Sequence, residues 1–214
     1  MWQRLLTQGH MLMKRWFPPL VYLNVPNAMT SLAVALGLVC LVLLAHGYQK
    51  LPAALFLVIL ILDFADGAVA RRLNQSTPIG LQLDSLSDLL NFCMLPVLVG
   101  WMMGMRSIPS LLALVLFLLA GVWRLAYYNI HGLEGEGEGR PTFTGLPTTY
   151  AACYFVALAA HCQVFQLPFS WLGPLYFVGA SLLMLSAIRV PKKGLFLPIT
   201  TLLTWGSVVF FLLQ

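Results

Sequence analysis

All four aspartates of the chain, Asp63, Asp66, Asp84 and Asp88, fall within one short stretch of otherwise apolar sequence. It reads Asp63-Phe64-Ala65-Asp66-Gly67-Ala68-Val69-Ala70-Arg71, then eight residues, then Gly80, Asp84 and Asp88. An aspartate at the centre of a membrane helix costs roughly 2.5–3.5 kcal/mol, so four left unpaired would cost about 10 kcal/mol. They are therefore expected near a membrane interface, and paired. On a helix, positions 63, 66, 67, 70 and 71 share one face. Asp84 and Asp88 stand one turn apart on the next helix. Two antiparallel helices joined by a short loop would aim the four carboxylates at one spot. Such a set repels itself unless a divalent cation intervenes, and hard oxygen-seeking ions suit it: magnesium, manganese or calcium. Gly67, Ala70 and Gly80 would let a backbone or a flat ligand come close. Arg71 offers a planar cation that could hold a phosphate bidentately.

The elements that must position these groups are membrane helices. Of the 214 residues, 60% are hydrophobic and only 9% are charged, far from the composition of a soluble domain. The fold class expected is all-α: one polytopic transmembrane bundle of about seven spans, preceded by an interfacial amphipathic helix. That helix is residues 1–18, where Trp2, Leu5, Leu6, Met13, Trp16 and Phe17 can share a stripe. Pro18 and Pro19 end it. Asn24-Val25-Pro26-Asn27 reads as a turn, with Asn27 placed to cap the first span. Spans are expected at about 28–46, 51–72, 84–105, 108–130, 147–167, 170–188 and 194–213, each long enough for a core about 30 Å thick. The last, within 194–214, stands as an additional C-terminal transmembrane helix. The first apolar residues are interrupted by Arg4, His10, Lys14 and Arg15, so no cleavable signal peptide is expected.

With the N-terminus inside, ten lysines and arginines face the cytoplasm and only Lys50 and Arg106 face outward. That bias places the aspartates at the cytoplasmic face of a cell (inner) membrane. It also accounts for the net charge of +5 without nucleic acid as a partner. Cys40, Cys93, Cys153 and Cys162 lie in apolar runs with no metal-binding spacing and read as packing residues. The loop 131–140 holds all three glutamates, each flanked by glycine, and reads as a solvated connection with no metal.

The pattern D-x2-D-G-x2-A-R-x8-G-x3-D-x3-D resembles that of the CDP-alcohol phosphotransferase family, matched at all eight fixed positions. The resemblance implies that residues 24–193 form the family's membrane domain, commonly a homodimer. It implies two metal ions, Mg2+ or Mn2+ with Ca2+ as a bound substitute, held by Asp63, Asp66, Asp84 and Asp88. It further implies that Asp66, Gly67, Ala70, Arg71 and Gly80 contact the CDP group, with Asn27 and Thr30 nearby. Asp88 would be the general base.

Three further segments resemble the serine-using members, the CDP-diacylglycerol–serine O-phosphatidyltransferases. They are Arg124-Leu125-Ala126-Tyr127-Tyr128-Asn129, Gly145-Leu146-Pro147 and Met184-Leu185-Ser186. Thr148-Thr149 after the Gly-Leu-Pro, and the acidic glycine loop, depart from that pattern. The resemblance implies CDP-diacylglycerol and L-serine as substrates, with acyl chains left among the membrane lipids. A zwitterionic acceptor needs a cation for its carboxylate, which Arg124 supplies, and hydrogen bonds of the kind Asn129, Thr144 and Gly145 could make. A phosphorylated acceptor such as glycerol 3-phosphate or inositol phosphate would call for more than one cation, and only Arg124 and Arg140 are at hand. Inositol is a further alternative. Choline would favour an aromatic cage, which Tyr127, Tyr128 and Phe143 keep open. A divalent-cation transporter is the rival of another class, but no internal repeat is evident, and Arg71 beside the acids would repel a passing ion.

Overall fold

The computed structural model describes residues 15–134, 142–191 and 196–214. Most of the expected interfacial helix (residues 1–14), together with Glu136, Glu138 and Arg140, lies outside the described residues. Among the described residues, seven apolar helices carry the fold: α1 Val25–Ala45, α2 Lys50–Arg72, α3 Pro78–Met102, α4 Ile108–His131, α5 Thr148–Val164, α6 Phe169–Leu185 and α7 Phe196–Leu213. The first four are long and apolar enough to cross a membrane; the last three are shorter, at 17, 17 and 18 residues. The protein is an integral membrane protein.

Three helices begin by one local rule, a polar cap followed by proline in the first turn. The Asn24 side chain accepts from the Asn27 amide at 2.9 Å, Thr77 from Gly80 at 3.1 Å, and Ser107 from Ser110 at 3.4 Å. Two expectations are corrected here. The cap of α1 is Asn24, not Asn27, which already lies inside the helix. The third span begins at Pro78 rather than at residue 84, so Gly80, Asp84 and Asp88 all ride on α3.

Within α3, Asp88 is followed by a π-helical turn, Leu89–Met94. Pro96 explains it. Its ring displaces the carbonyl four residues back and it has no N–H to donate. The Leu95 amide accordingly bonds one residue further back, to Leu90 O.

Lipid tails are as apolar as leucine, so close packing rather than escape from water joins these helices. The α1–α2 pair is the most extensive, followed by α4–α6, with α1–α3 and α5–α7 next. One apolar core centres on Phe117, Phe155 and Phe177, with Phe117 and Phe177 edge to face at 5.0 Å. A second, around Phe56, Ile59, Phe92 and Val208, joins α1, α2, α3 and α7. The four cysteines are buried and free, as packing residues should be.

A two-stranded antiparallel ribbon was not expected. β1, Thr142–Thr144, pairs with β2, Arg189–Pro191, with Phe143 opposite Val190. It ties the segment before α5 to the segment after α6.

Candidate active site

The second half of α2 and the first half of α3 bring the acids together. Carboxylate oxygens of Asp63, Asp84 and Asp88 lie within 4.8 Å of one another. Asp63 and Asp88 approach to hydrogen-bonding distance. Asp66 is turned aside: it is buried, and its Oδ2 accepts from Thr30 Oγ1 at 2.5 Å. Asp88 Oδ1 is buried with no hydrogen-bond partner. Oxygens this close need a shared proton or a cation, and three converging carboxylates, one of them with an orphaned oxygen, make the donor set a hard divalent ion uses. The residues present therefore fit a metal.

The small and polar residues of the sequence pattern frame this cluster. Asn27 is buried; its Nδ2 donates to Tyr22 O at 2.8 Å, and its Oδ1 faces Gly80. A Cβ at Gly80 would stand 2.9 Å from that oxygen, so a larger residue there would have to push the Asn27 side chain aside. Ala70 is half-buried and Arg71 exposed at the end of α2. The Arg71 guanidinium folds back over Gly67, where an added Cβ would lie 3.4 Å from Nη1.

Beside the acids stands Arg124, on α4. It is only 7% exposed, and its Nε has no hydrogen-bond partner. Its charge reaches Asp88. Among the described residues the one ion pair is Arg189 Nε with Glu134 Oε2, at 3.1 Å, so Arg124 closes no salt bridge. It lies instead over the rings of Tyr128 and Phe143, at 5.8 and 5.9 Å. A buried guanidinium that closes no direct salt bridge is costly, and it is a ready partner for an anionic ligand.

The other residues expected near an acceptor are held by protein partners. Asn129 Oδ1 accepts from Ser85 Oγ at 2.8 Å. Thr144 Oγ1 donates to Glu134 Oε1 at 2.7 Å. The Gly145 amide donates to Ile188 O at 2.8 Å. Sequence reasoning missed Ser85 and Glu134. Ser85 sits next to Asp84, and Glu134 is the first acid of a loop that otherwise reads as solvent-facing.

A family model for CDP-alcohol phosphatidyltransferase matches residues 23–213. The chain belongs to this family. Within the family it is similar to proteins named CDP-diacylglycerol–serine O-phosphatidyltransferase. The Mycobacterium tuberculosis protein is 30% identical over 175 residues, which is 78% of this chain and 60% of the relative. The Bacillus subtilis protein is 29% identical over 159 residues, 72% of this chain and 84% of the relative. The Methanocaldococcus jannaschii protein is 28% identical over 171 residues, 79% and 75%. This member of the CDP-alcohol phosphatidyltransferases thus spans about 60% of the length of its mycobacterial relatives.

Gly145 gives the turn before α5 a local test. Its φ is +73°, and an added Cβ would collide with the Met184 carbonyl oxygen at the end of α6. Gly145→Ala is expected to destabilise the protein by about 1–3 kcal/mol. Thermal unfolding in detergent checks this, and a variant that melts like the parent would contradict the docking of this turn onto α6.

Proposed function

We propose that the protein transfers the phosphatidyl group of CDP-diacylglycerol to the hydroxyl of L-serine, giving phosphatidylserine and CMP. The observation that carries the choice of acceptor is Arg124: a buried guanidinium with a free Nε, beside the carboxylate cluster. Its two neighbouring rings already face this guanidinium, which counts against a choline cage. The names of the relatives support the same acceptor.

In this reading Asp63, Asp66, Asp84 and Asp88 hold Mg2+ or Mn2+, two ions in all. Bound there, the metal would neutralise charge on the diphosphate as it breaks. Asp66, Gly67, Ala70, Arg71 and Gly80 bind the CDP group, with Asn27 and Thr30 behind them. Arg71 holds a phosphate and Gly80 keeps a slot open for the base. Arg124 takes the serine carboxylate, and Asn129, Thr144 and Gly145 complete the acceptor pocket. Asp88 accepts the proton of the serine hydroxyl as that oxygen attacks the lipid-side phosphorus. The new P–O bond forms as the bond to CMP breaks. Incubating the purified protein and labelled CDP-diacylglycerol with a panel of alcohols, then identifying the lipid product, tests the assignment. A product from another alcohol in place of serine would overturn it.

The working unit in this proposal is a homodimer, with all seven helices crossing the inner membrane and the aspartates on the cytoplasmic side. A Tyr48→Cys variant should then label from outside and His131→Cys from the cytoplasm. Both positions are exposed, and the four native cysteines are buried. The reverse pattern would move the site across the membrane.

A further inference from the structure

The bundle has a second recess, at the end away from the aspartates. A cavity of about 240 Å³ opens between the end of α1, the start of α2, the second half of α3 and the last turns of α5 and α7. Phe56, on its wall, precedes Asp63 by seven residues, about 10 Å along the helix axis. Gln49 at the rim is about 20 Å away by the same measure. No residue of the proposed reaction lines it.

Its wall is graded. The deep part is apolar, with Phe56, Val99 and Val156. The rim carries Gln49 and Gln163, and the Gln163 Oε1 atom is buried with no hydrogen-bond partner. That oxygen only accepts, so a complementary ligand must bring an N–H or O–H. Beside the rim the Lys50 ammonium donates to Leu212 O at 3.3 Å and stays exposed. Lys50 and Arg106 are the lysine and arginine at this end, and no aspartate or glutamate accompanies them. The space exceeds the ~150 Å³ apolar cavity that takes up benzene.

We infer that this cavity seats one acyl chain of a bilayer phospholipid. The lipid's phosphate lies against Lys50, and its headgroup donates a hydrogen bond to Gln163 Oε1. Each requirement comes from a separate feature: apolar depth for the chain, an exposed cation with no acidic side chain beside it for the phosphate, and an orphaned acceptor for the headgroup. The membrane supplies such molecules at the height of the rim. The inference does not depend on the acceptor alcohol.

Phosphatidylethanolamine and phosphatidylcholine with matched chains share chain and phosphate, but only the first has N–H donors. Native mass spectrometry of the protein, freed of lipid and then offered both, should show phosphatidylethanolamine retained about tenfold or more over phosphatidylcholine, as expected for a charged hydrogen bond. Gln163→Leu should keep a bound lipid and lose the preference. Ala159→Phe, which fills the cavity, should lose the lipid while CDP-diacylglycerol turnover stays at the parent level. Equal retention of the two lipids by the parent protein would overturn the inference without recourse to any variant. So would undiminished binding in Ala159→Phe. A change of oligomeric state in that variant, with lipid binding intact, would assign the cavity to a second copy of the chain instead.

Discussion

Asp88→Asn is expected to lower turnover by about 10²–10⁴-fold, the usual worth of a positioned general base. The same substitution should raise the melting temperature in the presence of a chelator. The two effects share one origin. Asp63, Asp84 and Asp88 crowd their oxygens within 4.8 Å, and Asp88 Oδ1 has no protein partner. Without metal the arrangement works against itself, and an amide in place of one carboxylate relieves it. With Mg2+ or Mn2+ added, the parent should gain more stability than the variant, because binding to the folded state is linked to its stability. Asp63→Asn and Asp84→Asn should behave alike, with activity near background and weakened metal binding. Asp66→Asn should also lose activity, but without the gain in chelator, since Asp66 Oδ2 is already satisfied by Thr30. CMP release and thermal unfolding, each with and without metal, check all four variants. Parent-like turnover in any of them, with ordinary metal dependence, would remove that residue from the site.

Arg124→Ala should raise the Michaelis constant for serine about ten- to hundredfold, the cost of a charged hydrogen bond, and leave that for CDP-diacylglycerol nearly unchanged. Ethanolamine is serine without its carboxylate. It should be a poor acceptor for the parent and lose little more in the variant. Arg124→Lys should recover only part of the loss, because lysine keeps the charge without the planar fork. If Arg124 holds the diphosphate instead, the loss will appear in CDP-diacylglycerol and be equal for every acceptor. If it only packs between Tyr128 and Phe143, both constants will stay close to the parent values while stability falls. Either result would remove the chief structural reason for choosing serine.

The acids were legible because the chain is so apolar. In a sequence with 9% charged residues, four aspartates at helical spacing stand out, and the convergence of Asp63, Asp84 and Asp88 follows from two helices and a short loop. What the pattern could not convey is how Asp66 divides from the others. That depends on Thr30, thirty-six residues away on α1. The early start of α3 did carry a signal, Thr77 followed by Pro78, but the polar run Asn74-Gln75-Ser76-Thr77 before it, and Gly80 and Gln82 after it, obscured it. The ribbon carried almost none. Its strands are three residues each and pair across more than forty positions, too short and too distant for alternation to register. The roles of Asn129 and Thr144 were likewise hidden, because Ser85 and Glu134, their partners, belong to other segments.

The π-helical turn of α3 makes that helix two rotors on one shaft. The upper rotor aims Asp84 and Asp88; the lower one seats Leu95, Pro96 and Gly100 in the protein interior. A turn closed from i to i+5 takes in one residue more than an α-turn over nearly the same sweep. Splice out one residue between Leu89 and Met94, and the turn could close to a regular α-turn with both rotors still facing as they do. Splice one out of the regular helix between Asp84 and Asp88 instead, and everything beyond would swing by about 100° relative to Asp84. The first deletion is a change in length. The second, one turn away, is a change in direction.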